Sequence, residues 1–161
     1  MPKKEPIPQL PIELAIELIV NDKKTLLTTN LVLLKIRIDR TLRAIGTYQP
    51  RTASVNAQKR ADELGIGDLR RFDWGDQPSK TKMKDPGRKI FHFEHITPMN
   101  VIVNDIIESN CETAIKSHIM KIKIAWILKE EDRLLTKGIN GSWRSKRPSD
   151  AYQRLNIQLV D

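Results

Sequence analysis

The sequence predicts an α+β fold with a mostly helical N-terminal half and a small mixed or antiparallel sheet in the C-terminal half. In the first third of the chain, apolar residues recur at intervals of three and four, which is the spacing of amphipathic helices. Two later stretches, 89–96 and 121–128, alternate in the manner of half-buried strands. A chain of 161 residues suffices to bury a core, so we expect a single domain over residues 1–161.

The helical half is predicted to begin after an irregular, proline-rich arm over residues 1–10. Pro11 suits the first turn of a helix, and the polar pair Asn21-Asp22 would end that helix. A longer helix is predicted from Lys24 to Ile45, because apolar residues recur along one of its faces. Gly46 follows in the position that commonly closes a helix.

A third helix and a basic loop are predicted to follow. Pro50-Arg51-Thr52 interrupts the pattern, and Thr52 or Ser54 would cap a helix that ends at Gly65. From 67 to 89 the sequence is polar and contains several glycines and prolines, so we expect a connection without regular structure. Long connections in compact domains are usually functional or mobile.

Residues 89–161 form the predicted functional core. A strand is predicted over 89–96, and Thr97 with Pro98 starts a helix directly after it. The elements predicted beyond that point are a helix restarted by Ser109 or Asn110, a strand over 121–128, a short helix from Lys129 that Gly138 ends, and a final strand over 156–160.

The positive charge of the chain is the first indication of function. The sequence has 28 lysines and arginines against 20 acidic residues, for a net charge of +8. Such a charge concerns partners rather than fold, and it favours polyanions, above all nucleic acid. Cations in loops that contain glycine and proline can follow a phosphate backbone. The predicted nucleic-acid-binding residues are Lys80, Lys82, Lys84, Arg88, Lys89, Arg144, Lys146 and Arg147.

The composition argues against several classes of protein. No apolar run approaches the roughly 18 residues of a membrane-spanning helix, so we expect no membrane partner. The single cysteine, Cys111, rules out an internal disulfide framework and a cysteine-rich zinc site, and it favours a cytoplasmic location. The chain has no glycine-rich phosphate loop, so nothing suggests a nucleotide cofactor.

The most unusual stretch is Phe-His-Phe-Glu-His-Ile-Thr-Pro over residues 91–98. It places His92 and His95 on either side of Glu94, at the end of a predicted strand and the start of a predicted helix. Such positions hold polar side chains rigidly, and a helix N-terminus favours an anion such as phosphate. Carboxylates and imidazoles can supply the metal ligands and the base that a nuclease needs.

From Glu94 to Lys121 the chain resembles the HNH (His-Me finger) nucleases. The segment Glu94-His95-Ile96-Thr97-Pro98 matches the acidic residue, histidine and proline that open that family's motif. Asn110 then matches its asparagine, and His118, in a His-x-x-Lys arrangement, matches its second histidine. The paired cysteines of many members are absent from this chain.

The resemblance implies a metal-dependent DNA endonuclease that hydrolyses phosphodiester bonds. By it, His95 would activate water and Asn110 would orient His95. Glu94 and His118 would hold a divalent cation, Mg²⁺ or Mn²⁺. DNA is favoured over RNA as the partner. A homodimer would suit double-strand cleavage, although no feature of the sequence demands one.

Other interpretations stay open from the sequence. Asp85 and Glu94 are similar to the carboxylates of restriction-type endonucleases, although Ile96 stands where those enzymes have a lysine. If His92 is a core histidine and there is no chemistry, the protein is a DNA- or RNA-binding accessory factor. As an antitoxin-like or inhibitor protein, it would direct its basic loop at an acidic protein partner.

Overall fold

The computed structural model describes residues 11–46, 51–139, 141, 143 and 146–160, and it confirms the α+β fold class. The predicted arm over residues 1–10 lies outside the described residues. The helices are α1 (Ile12–Leu26), α2 (Leu31–Gly46), α3 (Val55–Glu63), α4 (Met99–Glu108), α5 (Glu112–Ile119), α6 (Lys129–Lys137) and α7 (Ala151–Arg154). The strands are β1 (Arg51–Ala53), β2 (Phe91–His95) and β3 (Ile124–Leu128).

The chain divides into two compact units. Met1–Tyr48 and Met99–Lys121 form a helical unit that contains α1, α2, α4 and α5. Gln49–Pro98 and Ile122–Asp161 form a sheet unit that contains the three strands with α3, α6 and α7. The single domain expected over residues 1–161 stays a prediction. No helix among the described residues combines the length and apolar character that crossing a membrane requires.

In the helical unit, the predicted boundary between the first two helices is wrong. Helix α1 continues through Asn21-Asp22 to Leu26, and α2 begins only at Leu31. The break comes at Asn30, whose side-chain oxygen accepts a hydrogen bond from Leu33 N at 3.0 Å. That bond satisfies one of the amide groups left free at a helix start, so Asn30 caps α2.

The sheet is mixed, and β3 is its central strand. The order is β1-β3-β2, with β1 parallel and β2 antiparallel to β3. The two predicted strands are confirmed as β2 and β3. Strand β1 spans only Arg51–Ala53, which is too short to show an alternating pattern. The strand predicted over 156–160 reduces to one isolated bridge between Leu159 and Ser54, beside β1.

A buried polar network joins the start of α3 to the start of α6. Of the two predicted caps of α3, Thr52 and Ser54, it is Ser54 that caps the helix, since its Oγ accepts from Ala57 N at 3.0 Å. The same hydroxyl donates to Glu131 Oε2 at 2.5 Å. Glu131 is buried, and its oxygens also accept from Asn56 Nδ2 at 3.1 Å and Leu128 N at 2.9 Å. With three donors around it, the buried carboxylate is stabilised by hydrogen bonds.

Helix α6 was predicted with both of its ends, and both are confirmed. It starts directly after β3 and runs to Lys137. Gly138 follows at φ +68°, a left-handed conformation that glycine adopts without strain. A Cβ at Gly138 would also lie 2.5 Å from the ring of Trp143, so the packing of Trp143 requires glycine there.

The substitution Ser54→Ala tests the buried network. It removes the cap of α3 and one donor to a buried carboxylate, so we expect the free energy of unfolding to fall by about 3 kcal/mol. The measurement is urea denaturation followed by circular dichroism. Asn30→Ala is the matched control, because it removes a surface cap and should cost about 1 kcal/mol. Equal losses in the two variants would contradict the special role of Ser54.

Candidate metal centre

Strand β2 and the first turn of α6 bring three potential metal ligands together. His92 and Glu94 are two residues apart on β2, so their side chains leave the same face of the sheet. Strand β3 pairs with β2 and leads directly into α6, which carries Asp132 in its first turn. One ligand atom from each of the three residues lies within 4.8 Å of the others. No other such group was found among the described residues.

The distances within this cluster suit a single divalent cation. His92 Nε2 lies 3.0 Å from Glu94 Oε2 and 3.5 Å from Asp132 Oδ1. Ligands bound about 2.1 Å from one ion stand roughly 3 to 4 Å apart, so little movement would be needed. One imidazole with two carboxylates is a donor set that Mn²⁺ or Zn²⁺ accepts more readily than Mg²⁺ does.

Arg147 lies on the other side of Glu94 and, together with His92, keeps it ionised. Its guanidinium donates to Glu94 Oε1 at 2.6 Å, and to the backbone oxygens of His95 and Ile96 at 2.6 and 2.9 Å. Burial alone would raise the pKa of Glu94, but the hydrogen bond from His92 and the charge of Arg147 lower that pKa below its ordinary value. Glu94 is therefore a carboxylate at neutral pH, and its Oε2 still faces the cluster.

Lys129 determines the tautomer of His92. Its Nζ lies 3.1 Å from His92 Nδ1. An ammonium group can only donate, so Nδ1 accepts and the proton of the neutral ring is on Nε2. That Nε2–H group donates to Glu94. A cation bound at Nε2 requires the lone pair there, so the ring proton would move to Nδ1 and Lys129 would turn away.

A small cavity adjoins the cluster. Its volume is about 160 Å³, and its lining includes Glu94, Asp132 and Arg147. Several water molecules of roughly 30 Å³ each could occupy such a space. The hydroxyl of Tyr152, in the adjacent hydrophobic core, is buried and has no hydrogen-bond partner among the described residues. Burial raises the pKa of Tyr152, and the charge of Glu94 adds to the increase.

The residues of the predicted HNH site are spread over both units. Glu94 belongs to the cluster, but His95 alternates to the opposite face of β2, the face of the core residues Phe91 and Phe93. Asn110 lies exposed between α4 and α5 in the helical unit. His118, on α5, contacts Lys121 Nζ at 3.2 Å and Asp105 Oδ2 at 3.5 Å. The roles predicted for His95, Asn110 and His118 stay predictions.

Asp85, the other carboxylate of the restriction-type interpretation, has a structural role. It is buried, and its oxygens accept from the backbone amides of Lys89, Ile90 and Phe91. The side-chain amide of Gln77 donates to it at 2.8 Å. Asp85 thus anchors the basic loop to the start of β2, and these donors leave it closed to a metal ion in this structure.

The basic loop is more ordered than its composition suggests. Met83 is buried in the core. Lys82 pairs with Asp76 at 2.5 Å, and Lys84 Nζ lies 3.4 Å from the carbonyl oxygens of Leu64 and Gly65. The guanidinium of Arg88 stacks on Trp74, 3.5 Å from the ring centroid, and Trp74 is 56% exposed. Lys80 and Lys89 are exposed, as is Lys146 in the tail. Arg144 lies outside the described residues.

Two residues of the cluster were missed from the sequence. Neither residue was among the predicted metal ligands, and the sequence left open whether His92 is a core histidine. Two features of the sequence could have indicated them. The alternation of β2 places His92 on the same face as Glu94, and the acidic run Lys-Glu-Glu-Asp follows directly after a predicted strand. A groove of about 650 Å³ between α2 and α4 contains none of the three ligands.

Comparisons with protein-family models, with curated proteins and with solved structures found no match to this chain.

The ion pair of Arg147 and Glu94 predicts a dependence of stability on pH. Glu94 has a lowered pKa in the folded protein, so its contribution is complete above the ordinary value of 4.5 and is lost as the pH falls through the folded value. We expect Glu94→Gln to be less stable than the wild type at neutral pH, by about 3 kcal/mol, because Arg147 loses its charged partner. As the pH falls below 4.5 the difference should shrink. Urea denaturation across this pH range measures it, and a constant difference would contradict the pKa shift.

The unpaired hydroxyl of Tyr152 gives a second stability prediction. The substitution Tyr152→Phe removes a buried polar atom that has no hydrogen-bond partner in the part of the chain that the structure describes, while keeping the packing of the ring. We expect the free energy of unfolding to stay unchanged or to rise by up to about 1 kcal/mol. Thermal or urea denaturation can measure this. A loss of more than about 1 kcal/mol would mean that the hydroxyl is hydrogen-bonded in solution.

Proposed function

We propose that the protein is a metal-dependent nuclease whose divalent cation is held by His92, Glu94 and Asp132. The observation that carries the proposal is the convergence of these three ligand atoms, beside a cavity, in a strongly basic chain. When bound, such a cation supplies an activated water molecule and neutralises charge on a phosphodiester. The HNH-like interpretation from the sequence agrees in reaction type and shares Glu94.

The protein residues have distinct roles in this proposal. Glu94 and Asp132 supply negative charge to the cation site, and the carbonyl contacts of Arg147 keep Glu94 in position. His92 supplies Nε2 to the cation once its proton has moved to Nδ1. Lys129 is then released from His92 and becomes available to a phosphate oxygen, which an ammonium group binds well.

The direct test is incubation of the purified protein with supercoiled plasmid DNA and with RNA, in Mn²⁺, in Mg²⁺ and in EDTA. We expect cleavage with metal, stronger with Mn²⁺, and none with EDTA. His92→Ala and Asp132→Asn should each lower the cleavage rate at least about a hundredfold, because each removes a ligand. Product appearance on agarose or denaturing gels gives the rate.

The variant His118→Ala separates the cluster from the site predicted by the HNH resemblance. If the cluster holds the cation, His118→Ala retains the wild-type rate while Asp132→Asn does not. The opposite result would assign the chemistry to His95, Asn110 and His118. Metal-independent cleavage that survives all of these substitutions would contradict both assignments.

A second candidate function is nucleic-acid binding without catalysis. It is favoured by the charge balance of the cluster, since Arg147 already neutralises Glu94 and Lys129 contacts His92. Such a protein would leave plasmid and RNA intact with every metal ion and would still shift them on gels in a salt-sensitive manner. With either function, we also propose that the protein is cytoplasmic, that its target is DNA rather than RNA, and that it is a homodimer.

A further inference from the structure

The antiparallel pairing of β2 with β3 brings Lys89 and Lys129 to the same end of the two strands. Strand β2 begins just after Lys89-Ile90, and Lys129 follows the end of β3. Phe91 pairs with Leu128, and Lys129 N donates to Ile90 O at 2.9 Å. The residues before β2 and those after β3 are therefore held side by side, although they are far apart in sequence.

A basic groove of about 420 Å³ opens at this end of β2 and β3. Helix α3 contributes Arg60, and α6 contributes Arg133, one turn beyond Lys129 on the same helical face. The apolar part of the lining comes from Ile90 and Leu128. The charged residues that line the groove are four cations and one carboxylate, namely Arg60, Lys89, Lys129, Arg133 and Glu130.

Most of the cations that line the groove have no acidic ion-pair partner among the described residues. Among the described residues, no ion pair includes Lys89, Lys129 or Arg133. Arg60 pairs with Glu63 at 3.0 Å, but both side chains are exposed, and such a pair contributes little. The groove therefore concentrates positive charge that the protein itself leaves largely uncompensated.

We infer that the basic groove binds the phosphodiester backbone of a nucleic acid beside the candidate metal centre. The choice of nucleic acid as the ligand of the groove rests on the proposed function. Lys129 belongs to both places, since it lines the groove and contacts His92. The four cations bind successive phosphates, while Ile90 and Leu128 offer apolar surface to the sugars between them. Contacts to phosphates carry no sequence information, so the groove binds without sequence preference.

The inference is tested by binding in EDTA, where cleavage plays no part. The probe is a fluorescein-labelled single-stranded oligonucleotide, followed by fluorescence anisotropy over a series of salt concentrations. The double variant Arg60→Ala/Arg133→Ala removes two groove cations. The control Lys59→Ala/Lys137→Ala removes two exposed charges from the same two helices, outside the groove lining. Circular dichroism checks that both variants fold, which is expected because all four side chains are exposed.

The groove variant should bind the oligonucleotide more weakly than the wild type does. Its slope of log K against log salt concentration should also be shallower by about 1.4, which is about 0.7 for each lost phosphate contact. The control should keep the wild-type slope. Equal weakening in both variants would overturn the inference, because binding would then follow total charge. Failure of the oligonucleotide to bind would also overturn the inference. So would a glutamate peptide of equal charge that binds as tightly as the oligonucleotide and is weakened by the same groove variant. If the groove binds as expected but plasmid cleavage fails, only the nuclease assignment is lost.

Discussion

The buried carboxylate of Glu131 is the constraint on which the sheet unit depends. It accepts hydrogen bonds from Ser54 at the start of α3, from Asn56 two residues later, and from the Leu128 amide where β3 becomes α6. A buried carboxylate with fewer donors would be costly, so the start of α3 and the junction of β3 with α6 must meet in this geometry. Because Glu131 is adjacent to Asp132, the network that fixes α6 also fixes one ligand of the candidate metal centre.

The candidate centre shows how the chain tolerates a second buried carboxylate. Glu94 gives one oxygen to Arg147 and the other to His92, so it remains ionised although it is largely buried. Arg147 is itself held by two backbone carbonyl oxygens. The arrangement is therefore stable without a cation, yet the Glu94 oxygen that faces His92 and Asp132 is the one that a cation would use. The ion pair with Arg147 and the proposed cation therefore use different oxygens of the same side chain.

Local patterns predicted much of the fold. Alternation located β2 and β3, a serine located the start of α3, and Gly138 located the end of α6, because each signal acts over a few residues. The break at Asn30 was missed because the apolar spacing of one helix continues through it into the next. Strand β1 was missed because three residues show no period, and it forms only by pairing with the distant β3.

The candidate site was harder to predict, because its members meet only in the folded chain. Glu94 stood out through its neighbours, but nothing local links His92 to Asp132, which comes from a separate helix. Likewise, charge counting pointed to the loop over 79–89, where Lys82 and Arg88 are occupied by Asp76 and Trp74. The cations of the basic groove come from three places in the sequence, namely α3, the residues before β2, and α6, and only the folded chain brings them together.

The central claim is that His92, Glu94 and Asp132 hold one divalent cation. It is tested most directly by a crystal structure of the protein grown with Mn²⁺, using the anomalous signal of the metal. The account predicts a peak about 2.2 Å from His92 Nε2, Glu94 Oε2 and a carboxylate oxygen of Asp132, with Lys129 turned away from His92. A map without that peak, in which Lys129 and Glu94 still contact His92, would contradict it.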